Sequence, residues 1–135
     1  MAHTIAITKL LDGPRHAIYH VYLVCDGASG ELVDQTLIDP VDLVPSSGAV
    51  PSLTIEEINY DLSGFSARLE FDYLVSDTGA WVMSADNHAC VNLAPYGGIK
   101  DRSNVLDGTG KLMMSTKGFT SADDAGVIVL KVRKN

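Results

Sequence analysis

Residues 65–73 read FSARLEFDY, and apolar and polar side chains alternate along them without a slip. Phe65, Ala67, Leu69, Phe71 and Tyr73 share one face; Ser66, Arg68, Glu70 and Asp72 share the other. A period of two is that of a β-strand with one buried face. The odd positions are therefore predicted core, and Arg68, Glu70 and Asp72 are predicted to face outward. Similar runs recur along the chain. Residues 3–11 alternate about Ile5 and Ile7 until Asp12-Gly13-Pro14 turns the chain. Residues 17–25 are rich in Val, Ile and Tyr on both faces, as in a central strand. Asp26-Gly27-Ala28-Ser29-Gly30 reverses direction, and residues 32–38 return.

Residues 52–62 have a composition that tolerates one helical turn, but Leu53 and Ile55 alternate with Thr54 and Glu56, which favours a strand. Ser63-Gly64 then makes a hairpin into FSARLEFDY. Further strands are predicted at 81–83, 88–93, 111–116 and 126–133. Pro95-Tyr96-Gly97-Gly98 ends the second of these, and residues 100–110 read as a loop. In the last strand Val127, Val129 and Lys131 face one way, and Ile128, Leu130 and Val132 the other. Pro40, Pro45 and Pro51 make residues 40–52 an irregular loop, a place where contacts are often carried. No convincing amphipathic helix appears. The expected fold is a single all-β domain over residues 1–135: an antiparallel sandwich or barrel of about eight strands, jelly-roll-like.

Composition fits one globular domain, with 46% apolar and 20% charged residues in 135. No run approaches the roughly 18 apolar residues of a membrane helix, so no membrane partner is expected. The opening MAHTIAITKLLDG lacks a secretory pattern, so synthesis and retention in a cytoplasm are expected. Cys25 and Cys90 sit in strand-like runs outside any CxxC pattern and read as free buried thiols. The net charge of −7 is uneven: residues 1–90 carry three basic side chains against thirteen acids, and residues 91–135 seven against four. An acidic body argues against nucleic acid as a partner.

Motifs that carry chemistry fail one by one. Around Asp107-Gly108-Thr109-Gly110-Lys111, a phosphate loop needs Gly where Val105 stands and a hydroxyl where Leu112 stands. A dinucleotide fingerprint needs Gly at Met113, so a β-turn is the better account. His16 and His20 would share a metal on a helix, but on a strand they lie about 13 Å apart. His3 and His88 have no partner at ligand spacing, and all four histidines read as surface or half-buried polar residues. Gly27-Ala28-Ser29-Gly30 is not a nucleophile elbow. Neither Asp123-Asp124 nor Asp39-x-x-Asp42 matches a calcium loop. Glu70 and Asp72 come from one strand, whereas glycosidase carboxylates flank a groove. No catalytic residue, metal or cofactor is expected, and the chain reads as something other than an enzyme.

The segments LLDGPRHAIYHVYL, LTIEEINYDLSGFSARLEFDYL, YGGIKDRS and LDGTGKLMMST, together with the strand at Trp81, resemble those of small virion structural proteins of tailed bacteriophages, and the likeness spans nearly the whole chain. That resemblance implies a capsid decoration or cement protein. It would be made in the host cytoplasm and sit on the capsid surface of the virion, bound to the major capsid protein and to itself as a dimer or trimer. The family supplies no active site. Candidate interface residues are the apolar Val44, Val50, Tyr96 and Ile99 and the charged Lys131, Arg133 and Lys134. The alternatives are a jelly-roll module recognising host-surface glycan, with Trp81 and Tyr96 as stacking platforms, or another virion part such as a head-completion or tail accessory protein.

Overall fold

The computed structural model describes residues 3–39, 43, 53–73, 78–100 and 108–134. The proline-containing loop at 40–52, with Val44 and Val50, therefore lies outside the described residues except at Leu43. Among the described residues there are ten strands: β1 (Thr4–Asp12), β2 (His16–Val24), β3 (Gln35–Ile38), β4 (Leu53–Ser63), β5 (Ser66–Tyr73), β6 (Thr78–Met83), β7 (Asn87–Asn92), β8 (Ile99–Lys100), β9 (Gly108–Lys117) and β10 (Ala125–Lys134). A 3-10 turn, Ala94–Tyr96, joins β7 to β8.

The strands form two antiparallel sheets, and the protein is an all-β sandwich. The larger sheet runs β1-β2-β10-β4-β7, with β8 also on β4; the smaller runs β3-β9-β5-β6. Successive strands mostly change sheet, and of the described chain neighbours only β1/β2, β5/β6 and β7/β8 stay within one sheet. Tyr19, Val21 and Leu23 of β2, Ile58 and Leu62 of β4, and Ile128, Leu130 and Val132 of β10 point inward from the larger sheet. Ala67, Leu69 and Phe71 of β5, Leu112 and Met114 of β9, and Met83 of β6 meet them in one cluster. Each fully buried Leu, Ile or Phe contributes about 1.5–3 kcal/mol. Phe65 and Phe119 close one end, their ring centroids 4.5 Å apart.

The odd face of FSARLEFDY is core, as its alternation predicts, for Phe65, Ala67, Leu69 and Phe71; the side chain of Tyr73 is outside the described set. The opposite face needs a correction. Glu70 is only 8% exposed. It accepts a hydrogen bond from Ser115 Oγ at 2.8 Å and lies 3.3 Å from Arg68 Nε, so the carboxylate is buried with partners rather than solvated.

Four other expectations change. In β4 the alternation breaks: Ile55 and Ile58 both point inward, because the register shifts between Lys131 and Val132 of β10 and Glu56 takes up the extra position. The run expected at 32–38 forms a strand only from Gln35, because Asp34 adopts a left-handed φ of 51° and gives its N–H to Ser115 Oγ. Ile7, Leu10 and Leu11 of β1 remain exposed, since β1 has β2 on one side only. Cys90 is an exposed thiol; of the two, Cys25 alone is buried.

Candidate interaction surface

Cross-strand partners in an antiparallel sheet share a face. The outward face of the larger sheet can therefore be read row by row from its register. One row is Ala6, Tyr22, Val127, Asp61 and His88; the next is Thr8, His20, Val129, Asn59 and Cys90; a third is Leu11, Ile18, Lys131, Glu57 and Asn92. The middle of this face is mostly apolar, with Tyr22, Val127, Val129 and Ile18 grouped around His20, and Tyr22 is 42% exposed. Asp61 and His88 border it on one side, and Lys131 and Glu57 at one end. The pattern arises because β2 and β10 keep Ile18, Tyr22, Val127 and Val129 on their outward faces while His16, Lys131 and Arg133 gather towards one end. The inward residues of both strands supply the core and their outward residues are left over.

Tyr96 stands at 85% exposure on the 3-10 turn that interrupts the β7–β8 strand. The turn forms because Leu93 N–H pairs with Glu56 O and Gly98 N–H returns to Leu93 O. Gly98 has φ +78° and a Cβ there would lie 2.6 Å from Ile55 O and Thr54 Cγ2, so only glycine lets the chain pass so close to β4. The sequence signal Pro95-Tyr96-Gly97-Gly98 thus displays the tyrosine.

The other candidate anchors are placed differently. Ile99 pairs with Ile55 and packs against the core, so it is not a free anchor. Lys131 is half-buried on the outward face. Arg133 reaches Glu56, its NH1 3.2 Å from Oε2, and His16 Nε2 lies 2.8 Å from Glu56 Oε1. Lys134, expected as an exposed charge, has its ammonium fully buried against Asp12 and the carbonyl of Gly13; its position in β10 points it inward, past Val132. The structure therefore leaves Tyr96 and Lys131 near the surface and ties Lys134 into the fold. Trp81 is half-buried, packs on the core and keeps its indole N–H buried without a partner.

A second polar assembly lies where the β2–β3 and β9–β10 connections meet the start of β1. The Ser29 hydroxyl, then the Ala28 and Ser29 amides, hold the Asp26 carboxyl well below the usual carboxylate range. Burial acts to raise the Glu31 carboxyl; amide hydrogen bonds from Gly118 and Phe119 and the Thr116 hydroxyl outweigh it and leave the carboxyl below its ordinary value. His3, Cys25 and Asp26 bring one ligand atom each within 4.8 Å of one another, the one such His/Cys/Asp/Glu group among the described residues. Sequence spacing gave His3 no partner, since 22 positions separate it from Cys25.

Comparison with protein-family models, with curated proteins and with solved structures finds no match for this chain. Among the described residues, no helix is long and apolar enough to cross a membrane.

Proposed function

We propose that this chain is a non-catalytic binding module of the virion decoration or cement class, which works by burying a sheet face on a protein shell. The observation that carries the reading is the outward face of the larger sheet, with Tyr22, Val127, Val129 and Ile18 around His20 at its centre and charges at its border. A tyrosine among aliphatic side chains inside a polar rim is the composition of a protein-binding patch. The strand order supports a jelly roll. β2-β10-β4-β7 against β3-β9-β5-β6 is the interleaving that two Greek keys produce, an architecture that serves viral shells and lectins alike. The phage resemblance of the sequence selects the shell from these two, with the major capsid protein as partner. Tyr96 extends the contact at one side of the sheet. Self-association as a dimer or trimer would multiply modest contacts on a symmetric lattice.

The test mixes purified protein with capsids that lack it and measures occupancy and resistance of the shell to heat. Binding with added heat resistance, weakened by Tyr22→Ser and Tyr96→Ser more than by Lys131→Ala, is expected. Failure to bind or stabilise the shell, with binding to a cell-surface glycan array instead, replaces this reading with the glycan one.

A further inference from the structure

The geometry points to a zinc site, independent of the proposed shell contact, in which His3, Cys25 and Asp26 clamp the start of β1 to the β2–β3 connection. All three side chains are withdrawn from solvent: His3 is 6% exposed at its side chain, Asp26 2%, and Cys25 3%. The tautomer of His3 follows from its partners. The carbonyl of Gly30, 2.6 Å from Nε2, can only accept, so Nε2 carries the proton. The amide of Asp26, 3.1 Å from Nδ1, can only donate, so Nδ1 carries a lone pair. That lone pair accepts the Asp26 amide proton, and Nδ1 also lies 3.4 Å from Asp26 Oδ1. Oδ1 in turn accepts from the Ala28 and Ser29 amides, so an imidazole nitrogen, a carboxylate oxygen and the Cys25 sulfur lie side by side in a buried place, each already oriented by the backbone, where a cation would bridge them.

The donor set and its surroundings fit zinc. Imidazole nitrogen, thiolate sulfur and carboxylate oxygen are its usual ligands, at roughly 2.0–2.1, 2.3 and 2.0–2.2 Å. Tetrahedral angles at those lengths put nitrogen and oxygen about 3.3 Å apart, close to the separation present. Sulfur to nitrogen would be about 3.6 Å, so the ligand atoms, already within 4.8 Å, close by at most about 1.2 Å. A ligating histidine typically donates its other ring N–H to a carbonyl or carboxylate, as His3 does to Gly30. Asp26 is oriented in the same way by Ser29 and the Ala28 amide. Binding forms a Zn–S bond and releases the S–H proton that Cys25 directs at Phe119 O; the metal also takes the Nδ1 lone pair from the Asp26 amide. Water completes the fourth position.

The experiment titrates the full chain with Zn²⁺ and with Co²⁺ as a spectroscopic probe. Expected are saturable binding of one ion, a thiolate-to-cobalt charge-transfer band with tetrahedral visible absorption, displacement of Co²⁺ by Zn²⁺, and a thermal midpoint that rises with Zn²⁺ and returns on chelation. Proton release on Zn²⁺ addition in weak buffer should track occupancy. Cys25→Ser should abolish the charge-transfer band, His3→Ala should weaken Co²⁺ binding at least about tenfold, and Cys90→Ser should leave both unchanged. Circular dichroism of the metal-free variants separates a lost ligand from a lost fold. If Cys25→Ser does not fold, His3→Ala decides. A wild-type chain without cobalt absorption or a zinc-dependent midpoint overturns the site. So does a band that survives Cys25→Ser, or cobalt binding that His3→Ala leaves unchanged.

Discussion

Glu70 offers the most direct test of how its strand is held. Its carboxylate accepts from Ser115 Oγ at 2.8 Å and lies beside Arg68, whose side chain is 59% exposed. A hydrogen bond to a charged acceptor contributes about 1.5–3 kcal/mol when buried. An ion pair whose cation is mostly in water contributes about 0–1 kcal/mol. Glu70→Ala should therefore cost about 1.5–3 kcal/mol, nearly all of it through Ser115. Glu70→Gln retains an oxygen for the serine hydroxyl and should cost about 1 kcal/mol. Arg68→Ala should cost well under 1 kcal/mol. Urea unfolding of each single and double variant, compared at equal slope, gives the coupling energies. The Ser115–Glu70 coupling should exceed the Arg68–Glu70 coupling. The reasoning is refuted if Arg68 carries the larger coupling, or if Glu70→Ala costs no more than about 0.5 kcal/mol, the range of a solvated residue.

Leu69→Ala, at the centre of the core between the sheets, should cost about 2–5 kcal/mol in the same urea assay, and a smaller loss would mean the core collapses around the cavity. Gly97 and Gly98 both have positive φ, but a Cβ on Gly97 meets nothing within 4 Å whereas one on Gly98 meets backbone. Gly97→Ala should thus cost about 1–2 kcal/mol for its conformation alone, and Gly98→Ala clearly more; equal midpoints would contradict this close approach. The Asp26 and Glu31 carboxyls titrate lower in the folded chain than their ordinary values of roughly 4, so the unfolded chain binds more protons there. Their contribution should be whole above about pH 5 and fall away as the pH drops through the folded values. Asp26→Asn and Glu31→Gln should each flatten the acid limb of urea midpoint against pH, and an unchanged slope would count against these hydrogen bonds.

The strands that sequence reveals best are those whose pattern answers to one core. β5 and β10 alternate because each has one face on the sandwich interior, and the structure keeps that parity throughout β10 and buries Ala67, Leu69 and Phe71 of β5. β4 begins with the same regularity and loses it at Glu56. The bulge there has its reason in His16 and Arg133, which hold the displaced carboxylate and lie far away in the chain. Glu70 reads as solvated because its strand neighbours are polar; the hydroxyl beside it comes from Ser115, 45 positions on. Lys134 follows a run of charges at the chain's end, and only the fold brings Asp12 beneath it. The mostly apolar outward face is legible in β2, which carries Ile18 and Tyr22 there, but its continuity across β10 depends on register. His3, Cys25 and Asp26 have no periodic signal at all: loops, which carry no repeat, bring them together.

The break between β7 and β8 has a consequence for crowding. A sheet ends in a row of unpaired backbone groups, and a long straight row invites another chain to pair with it. Here every flank is irregular. β7 and β8 are parted by Leu93–Gly98 with Pro95 inside, and β1 slips register between Lys9 and Leu11. In the smaller sheet β3 has four residues and a slip, and β6 shifts opposite Leu69 and Glu70. Among the described residues, no flank offers the long straight template from which a fibre grows. Copies of this chain at high local concentration are thereby steered away from merging into a shared sheet. Contacts through faces and loops, which part without tearing a hydrogen-bonded ladder, are what remain to them.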